Sequence, residues 1–125
     1  MRIRDNKISQ LIEAYRPMAL RLNREHKHVS VCLRRGQVIS VGFNRRKTHP
    51  LAQKIGYLND ERHAELDALV QIPHPLRDGL ALVNFRFNNQ GILRMSKPCK
   101  LCLPWVVDAF ETVYYSDRNG NVVRM

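Results

Sequence analysis

The chain has 125 residues, 44% of them hydrophobic, which is enough for one compact domain with its own core and too few for two. Lysine and arginine number 21 against 11 acidic residues, and the formal charge of +10 biases the partner toward something anionic: a nucleotide, a nucleic acid or an acidic surface. Three cysteines make no disulfide framework, no run of about 18 apolar residues exists, and no apolar stretch follows the N-terminus, so a soluble cytoplasmic protein without membrane span or secretory signal is expected.

In chain order, Asp5 or Asn6 is placed to cap a first helix reaching about Glu25, with Ile8, Leu11, Ile12, Tyr15, Ala19 and Leu22 at helical spacing. Pro17 predicts a kink or break near Arg16, because an interior proline removes a hydrogen bond and clashes with the preceding turn. Arg16, Arg21 and Arg24 make the opposite face a solvated one. Val29, Val31 and Leu33, then Arg34-Arg35-Gly36-Gln37, then Val38, Ile39, Val41 and Phe43 predict a β-hairpin that turns at Gly36. Cys32, inside its first strand, reads as a small packed residue.

Gly42-Phe43-Asn44 closes the hairpin, and Arg45, Arg46 and Lys47 follow at once as a basic loop suited to a phosphate or a polynucleotide backbone. The Asn44 amide both donates and accepts, which suits a ribose hydroxyl, and it equally suits an ordinary turn after a strand. Leu51 to Asn59 is irregular or weakly helical, and Asp60 or Glu61 leads into a helix that carries His63 and Glu65, with Leu66, Leu69 and Val70 toward the core. Pro73-His74-Pro75 ends it; His49 and His74 read as surface-loop residues.

Leu80 to Phe87 is nearly continuous in apolar character at its start, as a central strand covered on both sides would be. Asn88-Asn89-Gln90-Gly91 is a turn, and Ile92 to Met95 returns as a short extended piece before Ser96-Lys97-Pro98. Beyond the cysteines at 99 and 102, Leu101, Leu103, Trp105, Val106, Ala109 and Phe110 predict an apolar helix packed on the sheet, with Trp105 in the core. Val113 to Ser116 and Asn121 to Arg124 flank an Asn-Gly turn, and the connection is too short for a parallel crossover, so the two strands run antiparallel.

His63, Cys99 and Cys102 are three metal-capable side chains, the number a catalytic zinc site uses while leaving its fourth position to water. A structural zinc needs a fourth ligand, and no other Cys or His has motif spacing. Glu65 is close enough in sequence to move a proton for that water. Residues two apart do not face each other on a helix, so His63 and Glu65 share one water only if the metal lies just beyond the helix N-terminus. Cys99 and Cys102, at i and i+3, share a face at the start of a second helix, with Pro98 suited to its first position and its positive end favouring thiolate. The Lys97 ammonium stands immediately before this segment, placed to help hold the thiolates or meet a substrate phosphate.

The order H-x-E at 63–65, then P-C-x-x-C at 98–102 after an intervening strand, with G-x-N upstream at 42–44, resembles the zinc nucleobase deaminases. The resemblance covers roughly Val29 to the C-terminus. It implies an α/β fold: a three-layer α-β-α cytidine-deaminase-like sandwich in a single domain over 1–125, with a central mixed sheet of about five strands and a C-terminal antiparallel hairpin similar to that of the cytidine-deaminase branch. It further implies zinc on His63, Cys99 and Cys102, Glu65 as the catalytic acid and base, Asn44 against the substrate sugar, and Ala64, Arg45, Arg46, Lys47 and Lys97 as further substrate contacts. In the implied reaction, water activated at zinc attacks C4 of cytosine while Glu65 protonates N3 and then the leaving amine. The expected substrate is a free cytidine-type nucleoside or nucleotide; cytosine in single-stranded DNA or RNA is the alternative, a non-catalytic zinc-binding module a third, and deamination of adenosine, guanine or another amino-heterocycle and a homo-oligomer stay open. The turn and return piece before the cysteines depart from many relatives, whose central strand runs more directly into the motif.

Overall fold

The computed structural model describes residues 3–22, 27–44 and 63–125. Arg24, Arg45, Arg46, Lys47, His49, residues 51–59 and the lead-in at Asp60 and Glu61 lie outside the described residues.

Helix α1 spans Asp5–Leu20 and buries Ile8, Leu11 and Ala19, one apolar stripe of the predicted spacing. Two expectations about it are corrected. Arg4 occupies the N-cap in an extended conformation with no side-chain cap, so neither Asp5 nor Asn6 caps the helix, and Asp5 instead sits in the first turn. The helix also runs through Pro17 without breaking and stops at Leu20, short of Glu25. Packing on both sides of the proline accounts for this. Ala19 is fully buried, and Arg16 is anchored by Nε donating to Gly91 O at 3.0 Å and by its guanidinium standing 5.5 Å from the Phe87 ring centre.

Strands β1 (Lys27–Arg34) and β2 (Gln37–Phe43) form the expected antiparallel hairpin. Its turn has positive φ at both Arg35 (53°) and Gly36 (81°), the pair that a tight two-residue turn requires for its twist to match the strands. After helix α2 (Ala64–Val70) and a short 3₁₀ turn at His74–Leu76 come β3 (Leu80–Phe87), β4 (Leu93–Arg94), helix α3 (Leu103–Ala109), β5 (Thr112–Ser116) and β6 (Val122–Arg124). The strand order is β2-β1-β3-β5-β6, with β4 beside the end of β3, giving six strands among the described residues. Only β3 and β5 pair in parallel; the other pairs, the C-terminal β5–β6 hairpin included, are antiparallel. The sheet is therefore mixed, and β4 is the return piece after the Asn88–Gly91 turn.

Alternation along the strands builds the two faces. Val29, Val31, Leu33, Ala81, Val83, Phe85, Phe87 and Tyr114 pack with Ile3, Ile8, Leu11 and Ala19 of the α1 side. Cys32, Leu80, Leu82 and Val113 pack on the other side with Leu66, Ala68, Leu69, Cys102, Val106 and Phe110. Each large side chain so buried contributes roughly 1.5–3 kcal/mol, and the doubly covered β1–β3 centre explains why β3 reads as an almost unbroken apolar run. No helix among the described residues is long and apolar enough to cross a membrane.

Candidate metal centre and active site

Helix α2 begins where the chain needs it. His63 is its N-cap residue, extended at φ −69° and ψ 154°, and its carbonyl accepts the Asp67 N–H at 2.9 Å, so the imidazole stands just ahead of the first turn and Glu65 stands within that turn. This is the arrangement the two-residue spacing demanded. The helix lies so close to β2 that a Cβ at Gly42 would come 2.3 Å from both Ala64 O and Ala68 N; only glycine lets helix backbone and strand meet there. Hydrogen bonds then fasten the contact. Phe43 N–H donates to Asp67 Oδ2 at 3.0 Å, the Ser40 hydroxyl to Ala68 O at 2.9 Å, and Gln71 Nε2 to Val41 O at 3.0 Å. Asp67 is 1% exposed and Glu65 3%, so both carboxylates of this turn lie inside.

The cysteines arrive by a different route. Cys99 O accepts from Leu103 N at 2.8 Å and Cys102 O from Val106 N at 2.9 Å, so the turn from 99 to 102 winds directly into α3. The helix proper starts later than the sequence suggested: Cys102 is its N-cap residue, and Pro104, not Pro98, takes the first-turn position suited to proline. Pro98 is buried ahead of the turn. Val106 and Phe110 carry α3 onto the sheet with Trp105 half-buried beside them, whereas Leu101 is 46% exposed and left out of the core.

The ligand atoms of His63, Cys99 and Cys102 all lie within 4.8 Å of one another. His63 Nδ1 is 3.2 Å from Cys102 Sγ and 3.8 Å from Cys99 Sγ. Tetrahedral zinc, with nitrogen at about 2.0 Å and thiolate sulfur at about 2.3 Å, sets such donors roughly 3.5–3.8 Å apart. Donor chemistry and spacing both fit that ion, with Cys102 buried, His63 half-buried and Cys99 exposed.

Cys32 is not part of the group. Burial pushes its thiol up to about 12, partly offset by a hydrogen bond with Ser40 and reinforced by the nearby Glu65 charge, so it is a packed neutral thiol. Of the other sequence candidates, Ala64 is fully buried at the start of α2, Lys97 is exposed, and Asn44 is half-buried just past β2, where its Oδ1 accepts the His28 N–H at 3.1 Å. Arg45, Arg46 and Lys47 lie outside the described residues.

Sequence reasoning missed a buried polar cluster beneath the cysteine segment. The Ser30 hydroxyl donates to Asn84 Oδ1 at 2.6 Å, the Ser96 hydroxyl to Asn84 O at 2.8 Å, and the Ser116 hydroxyl to Arg94 O at 2.6 Å. Ser96 N–H reaches Ser116 O at 2.8 Å, and Ser116 N–H reaches Ser96 Oγ at 2.7 Å. Ser30, Asn84, Ser96 and Ser116 are all buried. The cluster clasps the residues that return from β4 onto β3 and β5, three positions before Cys99. Its one sequence signal is Asn84, a polar residue inside an apolar strand.

No protein-family model matches the chain, and no curated protein matches it by sequence. Among solved structures it is similar to the apo dCMP deaminase from the cyanophage S-TIM5, at a TM-score of 0.55 and 20% identity over 87% of this chain and 84% of that one. The fold is thus the cytidine-deaminase-like one. Within that fold, His63, Cys99 and Cys102 form a group that could hold a metal ion.

Proposed function

We propose that this single domain is a zinc-dependent hydrolytic deaminase that converts cytosine to uracil in a free cytidine or deoxycytidine nucleoside or nucleotide. The convergence of His63, Cys99 and Cys102 within 4.8 Å, with the buried Glu65 in the adjoining helical turn, carries this reading. Those three residues would hold zinc, which when bound supplies Lewis acidity that lowers the pKa of a water molecule to about 7. Glu65 takes a first proton from the water that attacks C4 and delivers it to ring N3, then takes the second from the new C4 hydroxyl and passes it to the exocyclic amine, so that C4=O forms as the C4–N bond breaks. Water is consumed and ammonia released, so no other co-reactant is needed. The low exposure of Glu65 keeps the transferred proton from bulk solvent. Asn44 orients the sugar, with Ala64 at the helix start, Lys97, and the basic residues Arg45, Arg46 and Lys47 that follow Asn44 in sequence as further substrate contacts.

A second reading, cytosine in single-stranded DNA or RNA, is favoured by the charge of +10. Mass-spectrometric product detection across cytidine, deoxycytidine, their monophosphates and single-stranded oligonucleotides decides between them. Uracil-type product from a free substrate is the expected result. Turnover of the oligonucleotide alone would favour the second reading, and zinc-loaded protein inactive on all of them would leave a zinc-binding module without catalysis.

A further inference from the structure

Four strands bring one row of polar side chains to the metal side of the sheet. Ser30 pairs with Gly42 on β2 and with Asn84 on β3, and Gly42 faces α2, so this row lies under the site. One residue pair further along, Val29 faces α1; two along, the row on the site face is completed by His28 opposite Arg86 and Arg86 opposite Arg94. Asn44 joins the row through its hydrogen bond with His28 N–H. The order across the sheet is therefore Asn44, His28, Arg86, Arg94, at the carboxyl end of β3.

Two arginines directly opposite each other on antiparallel strands repel, and folding alone gives no reason to place them so. Among the described residues neither guanidinium forms an ion pair with a carboxylate. Arg86 is half-buried with Nη1 donating only to Met95 O at 3.4 Å, and Arg94 is exposed. The other end of β1 offers the contrast: Arg34 there places Nη2 2.9 Å from Asp78 Oδ1, and this contact holds the Asp78 carboxyl below its usual range. Among the described residues, the arginine at the far end has a carboxylate partner and the two at the metal end have none.

We infer that Arg86 and Arg94 form a phosphate-binding site for a substrate whose sugar lies against Asn44. This rests on the deaminase reading and narrows it to a phosphorylated substrate. Neighbouring strands are about 4.8 Å apart, so the arginine pair begins roughly 10 Å from Asn44, a gap that the long arginine side chains shorten. A planar guanidinium presents paired donors to phosphate oxygens, and two of them on adjacent strands can take one phosphate between them. The anion removes the repulsion that the bare pair suffers. A free nucleotide and a polynucleotide backbone offer the same chemistry, a phosphate ester on the sugar.

The test is kcat/KM on deoxycytidine 5′-monophosphate, on deoxycytidine and on a single-stranded oligonucleotide, for wild type, Arg94→Gln and Arg86→Gln. Arg94 is exposed, so its variant does not depend on tolerance of a core change. The ratio of monophosphate to nucleoside should fall about 10-fold to 100-fold in Arg94→Gln, the loss expected for a charge-assisted contact. A fall confined to the oligonucleotide relative to the nucleoside also supports the site and assigns it to a backbone phosphodiester. Ratios equal to wild type in both variants overturn it. Should the wild type deaminate none of the three, the deaminase reading fails; equilibrium dialysis with the monophosphate then tests the site alone, where unchanged affinity in Arg94→Gln overturns it.

Discussion

The two halves of the candidate metal centre are held by opposite devices. His63 and Glu65 ride on a helix end pressed backbone-to-backbone into a gap at Gly42 and stapled to β2 by Asp67, Ser40 and Gln71. Cys99 and Cys102 follow an irregular run that hydroxyl and amide groups clasp against β3 and β5. The first arm depends on an absence of atoms, and any added atom meets backbone that cannot yield. The second depends on satisfied buried polar groups, where a lost partner costs desolvation but leaves room. The arms should accordingly fail in different ways.

The largest effect is expected inside the His63 arm. Glu65→Gln should lower kcat by about 10²-fold to 10⁴-fold, the usual worth of a positioned acid–base group, while retaining zinc. Cys102→Ala on the other arm should lose metal and activity together, and metal analysis beside kinetics separates the two; a Glu65→Gln enzyme with near-wild-type kcat would sink the assigned role. Next, Gly42→Ala should destabilise the fold by about 3 kcal/mol, because the new methyl must displace helix backbone, and thermal unfolding should show a lowered Tm with loss of bound zinc. Ser96→Ala should cost less, about 1–2 kcal/mol for leaving buried groups unpaired. Its zinc affinity, measured by competition with a chelator, should weaken more than in a Ser40→Ala control on the His63 arm. Equal weakening in both would remove the distinction between the arms.

The smallest effect concerns Cys32, which belongs to neither arm. Its thiol titrates at about 12 in the folded chain against 9.0 for the ordinary group. Folding therefore favours the protonated form, and the stability this contributes is complete below about pH 9, declines above it and is gone once the pH passes about 12. Chemical denaturation at pH 8 and pH 10.5 should show a steeper loss for wild type than for Cys32→Ala. In native, metal-free protein a thiol reagent should modify the exposed Cys99 and leave Cys32 untouched until unfolding.

The candidate metal-binding group was legible because such chemistry fixes residue type and spacing within a few positions: His63 with Glu65, Cys99 with Cys102. Helix-end geometry then followed from the two-residue step at His63. The hairpins were legible from Gly36 and from Asn119-Gly120, whose turns need special backbone angles. Asp67, Gly42 and the Ser30–Asn84–Ser96–Ser116 cluster were not, because their role arises from contacts between elements far apart in sequence. Pro17 does not break the helix for the same reason: its local cost is real, but Arg16 reaching Gly91 and Phe87 holds the helix across it. The Arg86–Arg94 opposition was invisible until register was known, since only pairing turns two ordinary arginines into neighbours.

The staples that seat α2 have a second consequence, for solubility. Among the described residues β2 ends the strand order, and at such a margin unpaired backbone groups invite another chain to add a strand. Near its end the Phe43 N–H is occupied by Asp67 and the Val41 carbonyl by Gln71, while the register shift opposite Cys32 and Leu33 interrupts the regular ladder at Ile39. The side chains that hold α2 thus also occupy backbone groups that edge-to-edge growth would use, and they are the same atoms that set the position of His63.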